Sequence, residues 1–135
     1  MKYILLALLF LSIAIGTQAK IRLNLSIIYK KGIDKGLVLV SEYHSVEEVD
    51  ETEKVRLVMK NGLTMIVFAS FVQNSDDYGP SDQIKLGGSI FIRDRKLEDT
   101  FFEKEILIHL GEQKVLVYKD DSGQLIELTV APEVR

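Results

Sequence analysis

Apolar and polar residues alternate along most of the chain after residue 20, and this pattern is typical of strands with one buried face. The first stretch with this pattern, 20–30, predicts a half-buried strand, and 37–44 predicts a second strand that pairs with it as a hairpin across a glycine-containing turn. The acidic run 45–52 predicts a solvated loop. The apolar positions of the first strand are Ile21, Leu23, Leu25, Ile27 and Tyr29.

The most specific signal is a β-hairpin over 53–73, where two apolar-rich runs flank Asn61-Gly62. These two residues readily take the positive φ angles of a two-residue type I′ turn. A turn of that length sets the register of the hairpin, with Val55 opposite Phe68. It predicts that Ile66 and Phe68 lie in the main core.

The second strand of this hairpin, 63–71, is apolar on both faces. A strand buried on both sides has this composition. The face that carries Met65, Val67 and Phe71 therefore has two interpretations. It is core if another sheet covers it, and it is a partner-binding patch if it lies at a surface or an edge.

The remaining chain predicts further short strands. The paired Gly87-Gly88 indicates a bulge, a bend or a close backbone approach. The last third reads as a meander that ends at Pro132. The predicted fold is all-β, a single small antiparallel β-sandwich or partly open barrel of about eight short strands over 20–135. The further strands are predicted at 84–93, 102–110, 114–119 and 124–130.

Residues 1–19 predict a helical signal peptide rather than part of the fold. Lys2 precedes an apolar run that ends near Ile15, and small residues lead to a cleavage site after Ala19. The run is shorter than the roughly 20 residues that span a bilayer. We therefore expect an exported protein, periplasmic or secreted, with no stable membrane anchor after cleavage.

Charge and cysteine content narrow the function classes. Cleavage removes one lysine and no acid, so 17 basic side chains become 16 against 20 acidic ones, and the formal charge becomes −4. An acidic, evenly mixed surface does not indicate nucleic-acid binding. Because the chain has no cysteine, no disulfide, thiolate metal site or thiol catalysis is available.

Few residues suggest a metal site or catalysis. His44 lies near Glu42, Glu47 and Glu48, but the spacing matches no known ligand set, and an ordinary surface histidine is the better interpretation. The aspartates of the loop 74–83 are better explained as turn formers than as calcium ligands. We therefore expect no cofactor, no metal and no enzyme activity. The aspartates in that loop are Asp76, Asp77 and Asp82.

The sequence favours a non-catalytic protein-interaction or assembly module that works through a sheet edge or through the loop around Tyr78. That tyrosine is an aromatic residue among turn formers, a common form of interface anchor. The alternative is a carrier of a small apolar ligand inside a β-barrel. A filled core with an exposed apolar edge favours the first function, and an enclosed cavity favours the second. The expected partner-binding residues are Tyr78, Met65, Val67 and Phe71.

Export should leave Lys20 as the first residue of the mature protein, because cleavage is expected after Ala19. Intact-mass spectrometry of the periplasmic or secreted fraction measures this. A mature chain that still carries residues 1–19 would show that the segment is an anchor.

Overall fold

The computed structural model describes residues 20–33, 36–72 and 82–134, and this part of the chain is nearly all β. The predicted all-β class is confirmed. Two single-turn 3-10 helices, Lys60–Gly62 and Phe101–Glu103, interrupt the strands. The strands are β1 Ile21–Ile33, β2 Gly36–Val49, β3 Val55–Val58, β4 Leu63–Phe71, β5 Gln83–Ile92, β6 Arg95–Lys96, β7 Ile106–His109, β8 Lys114–Lys119 and β9 Gln124–Val134.

The strands form two antiparallel sheets. The first sheet has the order β2-β1-β9-β8. In the second sheet the order is β3-β4-β5, and β6 and β7 both pair with the remaining edge of β5. The chain crosses between the sheets after β2 and again after β7. The result is a small β-sandwich-like fold.

The inner faces of the two sheets share one apolar core. The predicted alternation of β1 is confirmed, since its five apolar positions are all buried. They meet the alternate residues of β4 and β5 across the sandwich. Burying each such side chain contributes about 1.5–3 kcal/mol, so this contact is the main stabilising term in a chain without disulfides. The fully buried large side chains are Ile21, Leu23, Ile27, Leu57, Leu63, Met65, Val67, Ile84, Leu86, Ile90, Ile126 and Leu128.

The first hairpin is longer than predicted. β2 continues to Val49, so the acidic run 45–49 is strand rather than loop. The reason is pairing with β1, which extends the ladder to Ile21 opposite Val49. The Arg22 Nη2 donates to Glu48 Oε1 at 3.1 Å across this pair. Tertiary pairing therefore overrides the loop-like composition of the segment.

The central hairpin is confirmed as an element, but its predicted register is wrong by one residue. Val55 pairs with Val67 rather than with Phe68. The loop has three residues, Lys60 to Gly62, and it is closed by the Met59 N–H donating to the Leu63 carbonyl at 2.8 Å. Asn61 and Gly62 do take positive φ, 71° and 85°. The third loop residue moves the strand pairing by one position. Because side chains alternate between the two faces of a strand, this shift changes which residues of β3 and β4 share a face.

This shift decides which face of β4 meets the core. The expectation that Ile66 and Phe68 lie in the main core is wrong, because both are only partly buried on the outer face. Met65 and Val67 have no exposed surface. Their core interpretation therefore holds, and the expected surface patch is corrected. A partner could reach these two side chains only if the sheets opened.

The paired glycines of β5 mark close approaches within a continuous ladder rather than a bulge. A Cβ at Gly87 would lie 2.5 Å from the Phe68 ring, which covers that position on the outer face. A Cβ at Gly88 would lie 2.2 Å from the backbone oxygen of Ile66 and 3.0 Å from the ring of Phe102. Of the three alternatives, the close approach is confirmed.

The predicted meander in the last third is wrong, because β7 pairs with β5 in the second sheet while β8 pairs with β9 in the first.

The strand β9 also continues through Pro132 to Val134. The β8 ladder stops at Val130, and beyond it the Pro132 carbonyl accepts a hydrogen bond of 2.9 Å from the Gly111 N–H, outside any strand ladder. Proline is tolerated at such a position because no ladder bond is lost there.

No helix in the three described segments is long and apolar enough to cross a membrane. The predicted signal peptide lies outside the described residues.

The observed register predicts that truncation of two neighbouring residues lowers stability by different amounts. Met65→Ala should lower the free energy of unfolding by about 2–5 kcal/mol, because it leaves a cavity in the core. Ile66→Ala should cost clearly less, since the side chain is partly exposed. Urea denaturation of both variants measures the difference. A larger loss for Ile66→Ala would favour the two-residue turn.

Candidate functional site

The distal end of the first hairpin extends beyond the core and is called the arm. It consists of residues 30–33 of β1 and 36–39 of β2. The three apolar side chains that β2 contributes, Leu37, Val38 and Leu39, are 43%, 49% and 52% exposed. They lie on β2, an outermost strand of the first sheet. Such an edge presents unpaired N–H and C=O groups beside apolar side chains, which is a template for strand pairing.

A bulge separates the arm from the rest of the hairpin. Tyr29 pairs with Ser41 and Lys30 pairs with Leu39, so Val40 is the extra residue on β2. The Val40 carbonyl accepts a hydrogen bond of 3.2 Å from Asn61 Nδ2 in the second sheet. The bend at the base of the arm is therefore held by a contact between the sheets.

A second contact fixes the other strand of the arm. The Gly32 N–H donates to the Gly123 carbonyl at 2.7 Å, which attaches β1 to the turn between β8 and β9. A Cβ at Gly32 would lie 3.2 Å from that carbonyl oxygen. The first contact holds the base of the arm, the second holds β1 nearer the tip, and both leave the β2 side exposed.

An open trough runs across the same end of the sandwich, between the tips of the two sheets. It has two halves of about 510 Å³ each, which share Ile92 and Gln124. The half beside β2 is also lined by Tyr29, Lys31, Val40, Asn61, Gly62 and Arg93, and the half beside β8 by Arg95, Lys96, Leu97, Glu98, Tyr118, Asp120 and Ser122.

A tight turn between β5 and β6 brings Arg93 into the trough. Arg93 and Asp94 have φ of 50° and 63°, and the residues on either side of them, Ile92 and Arg95, pair with each other. The Arg93 N–H donates to the Gly62 carbonyl at 3.0 Å. Non-glycine residues in this backbone region are uncommon and strained, and such strain clusters at functional sites.

The turn between β8 and β9 is organised by Asp120. Its Oδ1 accepts hydrogen bonds from the Ser122 N–H at 3.1 Å, the Ser122 hydroxyl at 2.8 Å and the Gln124 N–H at 2.9 Å. Partial burial by itself raises the pKa of the carboxyl group. The hydrogen bonds from Gln124 and Ser122, with one from the Tyr118 hydroxyl, outweigh burial and hold the pKa below its usual value.

The same surroundings keep the two phenols of the trough protonated. Burial raises the pKa of Tyr29, the charge of Asp120 adds to the effect, and Arg93 opposes it. Burial and then Asp120 also raise the pKa of Tyr118. Because the Tyr118 hydroxyl bonds Asp120, Tyr29 is the phenol left to donate to a ligand.

Basic side chains outnumber acidic ones in the trough. None of the four basic residues forms an ion pair with another residue of the described chain. Asp120 and Glu98 are the acids among the lining residues, and Asp120 keeps its negative charge because its hydrogen bonds stabilise the carboxylate, so four basic side chains stand against two acidic ones. The trough is therefore locally cationic on an acidic domain. The basic residues are Lys31, Arg93, Arg95 and Lys96.

Three of the four residues expected to bind a partner share one face of β4, and that face is turned toward the core. Met65 and Val67 lie in the core. Phe71, at the end of β4, is partly buried against it. Tyr78 lies outside the described residues, as do Asp76 and Asp77 of the same loop.

The histidine and carboxylate cluster forms one local pair. His44 Nε2 lies 2.9 Å from Glu42 Oε1 on the outer face of β2, and the His44 side chain is 67% exposed. Within 20–33, 36–72 and 82–134, no group of three potential ligands is placed to hold a metal ion.

Sequence reasoning missed the arm and the trough. A signal for the arm was present in Leu37–Val40, four consecutive apolar residues where a half-buried strand would alternate. The Arg93-Asp94 turn had no such signal, because arginine is not a typical former of positive-φ turns, although aspartate tolerates them. The trough combines residues from six strands and from four of the connections between strands, which no local pattern reveals.

The depressed pKa of Asp120 predicts a specific dependence of stability on pH. Its contribution is complete above the unfolded-state pKa of about 3.9 and is lost as pH falls through the lower folded-state pKa. Asp120→Asn should destabilise the domain at pH 7 and remove this loss below pH 4. Urea denaturation between pH 2 and 7 measures both effects.

Asp121→Asn is the matched control for this experiment, because Asp121 lies exposed in the same turn. If the two variants had the same stability profile, the hydrogen bonds to Asp120 would not be the cause.

Comparisons of the chain with protein-family models, with curated proteins and with solved structures find no match. Its function therefore has to be inferred from the arm and the trough.

Proposed function

We propose that this chain is an exported, non-catalytic interaction module that binds an extended segment of another protein along the edge of β2. The observation that carries the proposal is the arm, whose three consecutive apolar side chains are about half exposed on an outermost strand. Strand addition to such an edge obtains its affinity from main-chain hydrogen bonds and its specificity from alternate side chains.

The two halves of β2 differ in a way that supports this role. Beyond the bulge, the strand carries Glu42, Glu47 and Glu48, and charged side chains discourage edge pairing. In the arm, residues 36–39 carry no charge and no proline. Only the arm half of the strand is therefore open to a partner strand.

Packing also favours an interaction module over the alternative, a carrier of an apolar ligand. One apolar cluster of buried side chains from both inner faces lies between the sheets. The two halves of the trough are open to solvent and lined largely by polar groups. A carrier for an apolar molecule needs the opposite arrangement, a mostly apolar and enclosed pocket.

Leu37→Lys combined with Leu39→Lys should abolish binding of strand-like peptides without unfolding the domain, because both side chains are exposed and lysine blocks edges. The test selects nonapeptides from a random library displayed internally between fixed flanks. Peptides with alternating apolar residues should be enriched on the wild-type domain. Their affinity for the double variant should fall by roughly tenfold or more.

Val58→Lys is the control, since this valine of β3 is 60% exposed but lies on the other sheet. Equal binding by both variants would remove the arm from the interface. Absence of any enriched peptide, together with dimerisation through the arm in analytical ultracentrifugation, would show that the edge pairs with a second copy instead.

A further inference from the structure

We infer that the half of the trough beside β2 binds a carboxylate side chain of the segment that pairs with the arm. This inference rests on the proposed function and adds the chemistry of the partner, an extended apolar segment with one acidic residue at a fixed position. It is carried by the position next to the exposed edge of two basic residues, Lys31 and Arg93, that form no ion pair within the described chain.

The arm by itself is too small for a specific interface. Its exposed β2 segment has four residues, and a strand of that length spans about 13 Å. Stable protein interfaces bury on the order of 1,000 Å² or more. A second contact beside the edge is therefore needed, and the trough begins at β2 itself, since Val40 lines it.

Strand geometry places the two contacts on one face. Val38 pairs with Lys31, so the side chains of this pair project from the same face of the sheet, and Lys31 lines the trough. A residue of an added strand beside Val38 projects from that face as well. Neighbouring strands lie about 4.8 Å apart, so the added strand is about 10 Å from β1. Two long side chains that extend toward each other, such as glutamate and lysine, close this distance.

The groups in this half of the trough fit a carboxylate. Arg93 offers a planar fork of donors that matches the two carboxylate oxygens, and Lys31 adds a point charge. The protonated phenol of Tyr29 is a third donor. The amide oxygen of Gln124 is buried and accepts no hydrogen bond from a described residue. Rotation of this amide exchanges its oxygen and its NH₂ group, so the side chain can offer a donor at the buried position.

The backbone at Arg93 supports the same interpretation. Its φ of 50° is costly for arginine, whereas asparagine and glycine tolerate such angles. A Cβ at Gly62 would lie 3.1 Å from Arg93 Cγ, so the glycine leaves room for this side chain to lie across the hairpin loop. The positive φ of Arg93 therefore lowers the local stability of the turn, and the same backbone conformation places the guanidinium group at the mouth of the trough.

The test uses peptides selected on the wild-type domain, as described above. We expect an aspartate or glutamate at one fixed position among them. A selected peptide and its Asn or Gln counterpart should differ by roughly tenfold in affinity for the wild-type domain, as measured by fluorescence anisotropy at low salt. For Arg93→Asn the two affinities should be nearly equal, and the variant should fold because asparagine tolerates the positive φ.

Arg56→Gln is the matched control, since Arg56 is an exposed arginine on β3 and does not line the trough. It should retain the tenfold preference. Selected peptides without an acidic position, or an equal preference in Arg93→Asn and the wild type, would overturn the inference while leaving the edge proposal intact. Failure to select any peptide would overturn the proposed function itself.

Free succinate distinguishes a strand-borne carboxylate from a small-molecule ligand. We expect no saturable chemical-shift change of the Lys31 and Arg93 amides up to millimolar succinate, because without the paired strand the carboxylate loses its positioning. Saturable succinate binding, combined with equal affinities of the acidic and amide peptides, would assign the trough to a free carboxylate and overturn the link to the edge.

Discussion

The contact between the inner faces of the two sheets is the constraint on which the rest of this structure depends. The chain has no cysteine, so burial of alternate side chains replaces covalent cross-links as the source of stability. This burial fixes the register of each strand, because a slip of one residue would turn an apolar face toward solvent. It also fills the space between the sheets, which leaves the sheet edges and the strand ends as the surfaces on which function can be built.

The exposed arm follows from a difference in length between the sheets. β1 and β2 have 13 and 14 residues, whereas β4 and β5 have 9 and 10. At about 3.3 Å per residue, the first hairpin is longer by roughly 13 Å. The second sheet cannot cover this excess. The apolar side chains of the arm are therefore left exposed. The strand tips beside the arm line the open trough between the two sheets.

Much of the fold was predictable from periodicity, and the candidate site was not. Alternation in β1 correctly identified its buried face, and the predicted strands over 84–93 and 114–119 match β5 and β8 to within a residue. The errors arose where long-range pairing decides the outcome. Pairing with β1 makes strand of the acidic run before Val49, and pairing with β5 draws β7 into the second sheet. Arg93 enters the trough through a turn without glycine, which leaves no signal in the sequence.

The sequence by itself determined an all-β chain, its buried β1 face and a central hairpin closed at Asn61-Gly62. These features depend on local rules, since side-chain alternation and the preference for positive φ act within a few residues. Only the tertiary structure decided that Met65 rather than Ile66 faces the core, and that Lys31 and Arg93 line the same trough. The inward position of Met65 depends on the length of the hairpin loop and on how β4 packs against the first sheet. The shared trough depends on the docking of the two sheets. Neither outcome follows from rules that act within a few residues.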